Sequence, residues 1–133
     1  DLHSFPTRRS SDLVVALVEL LLVVAIIGIL ASVIFMGMGS TRQRARAVSA
    51  METQSSVMGL AVDCYLKNKG IVPISGNSGG SGRVCELHND NWPEINESCK
   101  YDGGTDKTWR ITCQGDYVIE CNVEKGNCVC SGC

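Results

Sequence analysis

The stretch ALVELLLVVAIIGILASVIF, residues 16–35, decides how this chain is organised, because it is apolar almost without interruption. Between Leu13 and Met36 the one charged side chain is Glu19. At about 1.5 Å per helical residue, such a run can cross a hydrocarbon layer of roughly 30 Å. It is longer than the about 7 to 15 apolar residues of a secretory signal and lacks a small-residue cleavage site. The sequence therefore predicts a transmembrane or filament-core helix over residues 14–39.

A second helical segment, residues 40–70, is predicted to continue the first as an amphipathic helix. Its apolar residues, with one small serine among them, recur at spacings of three and four: Val48, Met51, Ser55, Met58, Val62 and Tyr65. Lys67 and Lys69 suit the negative end of the helix dipole, and Gly70 suits a C-cap. The helix is therefore expected to end near Gly70, with one face against a small domain.

The remaining residues, 71–133, are rich in cysteine. A head of about 60 residues buries a small core, and disulfides stabilise such domains in an oxidising compartment. The head is therefore predicted to be extracytoplasmic, with disulfides among all eight cysteines: Cys64, Cys85, Cys99, Cys113, Cys121, Cys128, Cys130 and Cys133. About 105 pairings are possible, and the sequence does not choose among them. Metal binding by the CVCSGC ending is the less favoured alternative, so no metal or other cofactor is predicted.

Two segments of the head, TWRITCQ and DYVIECNV, are predicted to be strands of a small antiparallel sheet. Alternation places two sets of side chains on one face: Trp109, Ile111 and Cys113 in the first, and Tyr117, Ile119, Cys121 and Val123 in the second. The two sets of side chains lie on the same face of the sheet only if Ile111 pairs with Ile119, which leaves residues 114–116 as a turn. Cys113 and Cys121 then lie far apart along the ladder and are predicted not to be bonded to each other.

The fold class that follows is α+β: a long N-terminal helix packed on a small antiparallel sheet with disulfides. The aromatic residues of the head are interpreted as its core and rim: Trp92, Tyr101, Trp109 and Tyr117. His88 is interpreted as an exposed loop residue. GNSGG, residues 76–80, matches a nucleophile pattern but lacks its strand-to-helix context, so no catalytic residue and no enzyme activity are predicted.

Charge is distributed unevenly along the chain. Residues 71–133 carry five basic side chains against nine acidic ones, so the isolated head is not expected to bind nucleic acid directly. The one basic cluster is Arg42, Arg44 and Arg46, whose plainest interpretation is a solvated helix face or a membrane-proximal anchor. These arginines would favour a cytoplasmic C-terminal side. The cysteines indicate the opposite orientation, and they are given more weight.

The residues before the apolar run have a different origin. HSFPTRRSSDL, residues 3–13, is one reading frame of a common short-read sequencing adapter. Residues 1–13 are therefore expected to be an artefact of cloning or assembly, with the true N terminus missing. For this reason Arg8 and Arg9 are left out of the orientation argument.

LVELLLVVAIIGILASV, residues 17–33, resembles the N-terminal segment of type IV pilins and of the related type II secretion pseudopilins. The continuation RQRARAV is similar to many bacterial pilin-like proteins, whereas beyond Gly70 the resemblance is architectural only. In that family a leader peptidase cuts after a glycine, and the new terminal residue is N-methylated. The resemblance implies processing between Val14 and Val15, although valine replaces the family's glycine at position 14. Met36 stands where many members have a helix-kinking proline.

The resemblance also implies a role for Glu19 in assembly, as the carboxylate that neutralises the terminal amine of a neighbouring subunit. A lone carboxylate at the bilayer centre costs about 2.5 kcal/mol or more, which favours a paired position. The plainer alternative is that Glu19 lies near the membrane interface and reaches toward water. Gly28, together with Gly37 and Gly39, supplies the helix weakness that the missing proline would give.

The function implied is that of a structural subunit of a type IV pilus-like filament, serving surface attachment, motility, uptake or secretion. Its partners would be further copies of the chain, a prepilin peptidase and the assembly machinery. Its location would be the cytoplasmic membrane, with the head outside, and then an extracellular or periplasmic filament. Arg42, Arg44 and Arg46 would meet acidic heads of adjacent subunits. Two alternatives remain open: a minor pseudopilin of a secretion or DNA-uptake machine, and a monomeric membrane-anchored Cys-rich binding module.

Overall fold

The structure is a computed structural model that describes residues 10–133, with side chains described from Leu13 onward. Residues 3–9 of the expected adapter segment therefore lie outside the described residues. One helix and four strands follow in chain order: α1 (Ser10–Leu66), β1 (Cys99–Gly104), β2 (Thr108–Cys113), β3 (Tyr117–Asn122) and β4 (Asn127–Ser131). The chain divides into two compact units, the N-terminal unit (Asp1–Met38) and the C-terminal unit (Gly39–Cys133). The α+β prediction is confirmed.

The four strands form one antiparallel sheet in the order β1-β2-β3-β4. Ile111 pairs with Ile119, as the alternation predicted, and Cys113 pairs with Tyr117 across the turn of residues 114–116. Asp116 adopts a positive φ of 62°, which aspartate tolerates better than most residues. The buried face of β2 and β3 is the predicted one, because a shift of one residue would turn every apolar side chain toward water.

The two outer strands were not predicted. The sequence of β1, CKYDGG, ends in two glycines, and its register against β2 shifts between Tyr101 and Gly104. The sequence of β4, NCVCS, contains one aliphatic residue, so its alternation is weak. Each outer strand is instead joined to its inner neighbour by a disulfide, Cys99–Cys113 for β1 and Cys121–Cys128 for β4.

The face of α1 that packs against the sheet differs by one residue from the predicted stripe. The buried helix residues are Ala47, Ala50, Gln54, Val57, Met58, Ala61 and Cys64. Of the predicted set, Met58 is buried, Ser55 is exposed, and the others are half-buried at the edge of the contact. Three alanines on the buried face let the helix backbone approach the sheet closely, and their small side chains gave little hydropathy signal.

The centre of this contact is a buried chain of hydrogen bonds around Gln54. Trp109 Nε1 donates to Gln54 Oε1 at 2.9 Å, and Gln54 Nε2 donates to Tyr101 Oη at 2.9 Å. Tyr101 Oη in turn donates to the carbonyl oxygen of Pro93 at 2.9 Å. Trp92 packs on both aromatic partners at centroid distances of 5.4 Å. Burial raises the pKa of Tyr101 to about 12, and the hydrogen bond from Gln54 partly opposes that rise.

The helix ends earlier than predicted, at Leu66. Asn68 has a positive φ of 56°, and the amides of Asn68 and Lys69 donate to the carbonyls of Tyr65 and Cys64. This is the double hydrogen bond of a Schellman cap, with asparagine in the position that Gly70 was expected to fill. Gly70 has another function: a Cβ there would lie 2.8 Å from Cβ of Asp106, so only glycine permits this close approach.

Candidate functional site

The apolar segment of α1 is exposed all round the helix. From Leu13 to Met38 every residue is exposed except Ala31, which is half-buried. The five successive side chains from Leu20 to Val24 are each 48% to 66% exposed. Because about 3.6 residues complete one turn, these five point in every direction around the helix axis. The N-terminal unit therefore presents no polar side to water over this stretch.

By length and composition α1 can cross a membrane. An 18-residue window within Leu13–Leu66 has a mean hydropathy of 3.2, and none of that window is buried inside the protein. Exposed apolar surface of this extent is characteristic of contact with lipid or with another protein. Membrane anchoring is therefore consistent with the structure at this coarse level.

The residues proposed for processing and assembly all lie in this exposed segment. Val14 and Val15 are 59% and 65% exposed. Glu19 is exposed and shares one side of the helix with Ala16, Leu20 and Val23, at the spacing of neighbouring turns. Within the described part of the chain, Glu19 has no hydrogen-bond or ion-pair partner.

Gly28 is also open to its surroundings. A Cβ built there meets no atom within 4 Å, and the Ser32 hydroxyl donates to the Gly28 carbonyl at 2.8 Å. The helix continues through Gly28, Gly37 and Gly39 without interruption. Among the described residues, no contact therefore requires glycine at position 28.

The basic cluster lies in the C-terminal unit, and its three arginines differ in their contacts. Arg46 Nη1 donates to Ser98 Oγ at 2.7 Å, while the Arg46 carbonyl accepts from Asn96 Nδ2 at 2.9 Å. Arg42 and Arg44 are exposed, and no ion pair involves them among residues 10–133. Arg46 therefore helps to hold the loop before β1, and Arg42 and Arg44 keep free guanidinium groups.

The last turn of α1 carries an ion cluster that the sequence did not indicate. Asp63 Oδ2 lies 2.9 Å from His88 Nε2 and 3.0 Å from Lys67 Nζ. These two hydrogen bonds, the one from His88 first, lower the pKa of Asp63. The His88 side chain is 32% exposed, so it is half-buried and not the exposed loop residue that was expected. The neighbouring Cys64–Cys85 disulfide joins the helix to the same loop and brings the two groups together.

A second tether joins the helix to the turn between β3 and β4. Tyr65 Oη donates to Glu124 Oε1 at 3.0 Å, and Lys107 Nζ lies 2.7 Å from the same oxygen. Lys107 Nζ also lies 5.5 Å from the centroid of the Tyr65 ring. The hydrogen bond with Glu124 raises the pKa of Lys107. The pKa of Glu124 is lowered in turn, first by the hydrogen bond from Lys107 and then by the hydrogen bond from Tyr65.

The solvent-facing side of the sheet carries a shallow groove of about 490 Å³. Residues of all four strands and of the adjoining turns line it, among them Arg110, Glu120, Asn122, Asn127 and Val129. Arg110 Nε donates to Glu120 Oε1 at 3.0 Å across β2 and β3. The groove therefore offers both donors and acceptors, with no excess of one charge.

All eight cysteines form intrachain disulfides, which confirms the predicted scaffold: Cys64–Cys85, Cys99–Cys113, Cys121–Cys128 and Cys130–Cys133. Cys113 and Cys121 are bonded to different partners, as the register predicted. Among residues 10–133 no group of three or more histidine, cysteine or acidic side chains is placed to hold a metal ion. In comparisons with known proteins, no family model, no curated protein and no solved structure matches the chain.

Proposed function

We propose that this chain is the structural subunit of a type IV pilus-like filament, without enzymatic activity of its own. The observation that carries the proposal is the apolar segment from Leu13 to Met38, exposed on every side and interrupted by one carboxylate, Glu19. Such a surface is stable in a bilayer or among copies of itself, and it is unfavourable in water. Before assembly the chain would be held in the cytoplasmic membrane with its C-terminal unit outside, where the disulfides form.

Assembly exchanges lipid for neighbouring helices, so it depends on packing and on polar contacts more than on the hydrophobic effect. Gly28 supports this proposal because it leaves room for another helix to approach closely. Glu19 supports it because an unpaired carboxylate in an apolar bundle is costly, and the terminal amine of a second copy would pair with it. The amine becomes available if a prepilin peptidase cuts between Val14 and Val15.

The surface charges of the C-terminal unit suggest a second contact between copies. Arg42 and Arg44 have no ion pair within the described part of the chain. Several exposed acids lie outside the intrachain ion pairs: Asp90, Glu94, Glu97, Asp102, Asp106 and Asp116. In an assembled filament the two arginines would meet such acids on adjacent subunits, with Arg46 contributing less because Ser98 already accepts from it. Exposed pairs of this kind set orientation and respond to salt.

The test compares Glu19→Gln with Glu52→Gln in the full chain processed to begin at Val15. Glu52 is also exposed on α1 but lies in the C-terminal unit, so it is a matched control for loss of a carboxylate. Protein in detergent is diluted below the micelle concentration, pelleted and imaged by negative-stain electron microscopy. Wild type and Glu52→Gln are expected to form filaments, and Glu19→Gln is expected to lose at least about tenfold in yield. Equal yields from all three would contradict the proposed pairing.

A second comparison tests the amine itself. A chain that keeps residues before Val15 has no terminal amine at Val15 to pair with Glu19 of another copy. It is expected not to assemble, although its C-terminal unit folds normally. Filaments formed equally well by both chains would remove the role proposed for the new terminus. The distinction between a major pilin and a minor pseudopilin rests on the length of the particles obtained.

One observation favours a different function, that of a monomeric membrane-anchored binding module. The groove over Arg110, Glu120 and Asn127 is large enough for a small polar ligand and lies on a rigid, disulfide-linked sheet. If this alternative holds, detergent removal in the presence of lipid gives dispersed single copies in vesicles. Substitutions at Glu19 would then leave ligand binding by the groove unchanged.

A further inference from the structure

The four disulfides differ in what they join. Three of them cross from one element of the C-terminal unit to another: Cys64–Cys85, Cys99–Cys113 and Cys121–Cys128. The fourth, Cys130–Cys133, has a sequence separation of 3 and links β4 only to the residues that directly follow it. Opening the first three would release strands or the helix from their neighbours. Opening the fourth would release only Gly132 and Cys133, because Ser131 stays paired with Val118 in the sheet.

The same disulfide is also the most accessible. Of the six cysteines in the other three bonds, all but Cys128 are buried. Cys130 and Cys133 are both half-buried, and Ser131 and Gly132 between them are exposed. Accessibility to an attacking thiolate is one of the main determinants of disulfide exchange, so these two sulfurs are the ones that a thiol in solution reaches first.

We propose that Cys130–Cys133 is a thiol–disulfide exchange site, which reacts with external thiols while the other three disulfides stay closed. The external thiolate attacks Cys133 Sγ, a new S–S bond forms there, and the Cys130–Cys133 bond breaks. The electron pair of the broken bond leaves on Cys130 Sγ, which takes up a proton. No net oxidation or reduction occurs in this step, because one disulfide replaces another.

Cys133 is the sulfur attacked because of where the two residues lie. Cys130 is held in β4 opposite Ile119, with its side chain on the half-buried side of the strand. Cys133 lies two residues beyond the end of β4 and belongs to no strand. The approach to Cys133 Sγ is therefore less hindered, and Cys130 is the leaving group.

The fold is expected to survive this reaction. The backbone pairing of Cys130 with Ile119 and of Ser131 with Val118 does not depend on the disulfide. A Cβ built at Gly132 would lie 3.2 Å from Cδ1 of the Tyr117 ring, so the enclosed turn lies against that ring. The two-residue spacing also keeps the Cys130 thiol close to the mixed disulfide. Its thiolate can therefore attack Cys133 Sγ, re-form the original bond and release the external thiol.

The test uses the oxidised full chain in detergent with reduced glutathione at mildly alkaline pH. Aliquots are alkylated over time and mapped by peptide mass spectrometry, while tryptophan emission reports whether the C-terminal unit stays folded. Cys130 and Cys133 are expected to become modified at least about tenfold faster than any other cysteine, with the glutathione adduct on Cys133. Equal rates at all four bonds, or opening that always coincides with a change in tryptophan emission, would overturn the proposal.

A matched variant, Cys130→Ser with Cys133→Ser, locates the fast phase. It is expected to keep the tryptophan emission of the wild type and to lose the fast modification; a fast phase that persists would contradict the assignment. A second experiment replaces glutathione by a trace of reduced chain. A disulfide-linked dimer through Cys133 would identify a second copy as a competent thiol, and its absence would restrict the exchange to small thiols. Neither result depends on filament formation, so the two proposals can fail separately.

Discussion

Replacement of Gln54 by methionine is expected to lower the free energy of unfolding of the C-terminal unit by about 2 to 4 kcal/mol. Methionine matches the length of glutamine but lacks its amide. The change leaves the buried Trp109 Nε1–H without its acceptor, a cost of about 1 to 3 kcal/mol. It also removes the hydrogen bond that Tyr101 Oη accepts, worth about 1 kcal/mol, while Tyr101 continues to donate to Pro93.

The assay is urea unfolding of the full chain in detergent, with the disulfides intact, followed by tryptophan fluorescence. The chain has two tryptophans, Trp92 and Trp109, and both are buried in the C-terminal unit, so the signal reports on that unit. With a slope of about 1 to 3 kcal/mol per molar urea, the midpoint should fall by roughly 0.7 to 4 M. The control Gln43→Met changes the same side chain at a half-buried position of α1 and should have little effect.

A double-mutant cycle separates the hydrogen-bond chain from simple packing. Tyr101→Phe alone removes the hydroxyl, and the double substitution removes both partners. If the two residues act through their hydrogen bond, the double variant is less destabilised than the sum of the single ones, by about 0.5 to 3 kcal/mol. A loss below about 0.5 kcal/mol for Gln54→Met, or full additivity in the cycle, would refute the reasoning.

Three further predictions concern the same unit. Cys64→Ala with Cys85→Ala should cost about 3 kcal/mol, because the bond spans a sequence separation of 21; an unchanged urea midpoint would contradict this. The hydrogen bond from His88, with one from a lysine, lowers the pKa of Asp63. The stability that the Asp63 carboxylate contributes is therefore present above the unfolded aspartate pKa of about 3.9 and is lost as pH falls through the lower folded pKa. In Asp63→Asn the urea midpoint should therefore fall less steeply as the pH is lowered. The pKa of Tyr101 is raised to about 12, so the stability it contributes is complete below about pH 10 and is lost as pH rises through the folded pKa. In a rapid-mixing absorbance titration of tyrosine ionisation, the step near pH 12 should accordingly be absent from Tyr101→Phe.

The central strands were predictable because their sequences carry strong alternation and a turn of fixed length. With one face buried, only the register that pairs Ile111 with Ile119 keeps all apolar side chains on the same side. The separate disulfides of Cys113 and Cys121 followed from that register. These features depend on local pattern alone, so tertiary context did not alter them.

The helix face and its end were not predictable in the same way. Ala47, Ala50 and Ala61 are buried because the sheet lies close to the helix, and small side chains are required there. Gln54 is polar, and only the positions of its partners on β1 and β2 make it a core residue. Asn68 adopts the left-handed cap conformation that glycine usually adopts. The helix ends there because the chain turns toward Ile71, which is buried in the core. In each case distant contacts decide the outcome.

The candidate assembly segment was recognisable from the sequence because its signal is compositional. Glu19 stands out as one carboxylate in an apolar run, and the structure leaves it without an intrachain partner among the described residues. The His88–Asp63 pair gave no such signal, because the two residues are 25 positions apart and are brought together by tertiary contacts, the Cys64–Cys85 disulfide among them.

The measurement that tests the filament account most directly is cryo-electron microscopy of the processed full chain after detergent removal. The account predicts helical particles in which residues 15–38 of many copies pack together, with Glu19 of one copy within ion-pair distance of the terminal amine of another. It also predicts that the strands from Cys99 to Ser131 face outward. Dispersed single copies in vesicles, or particles in which Glu19 faces lipid or water without a partner, would contradict the account.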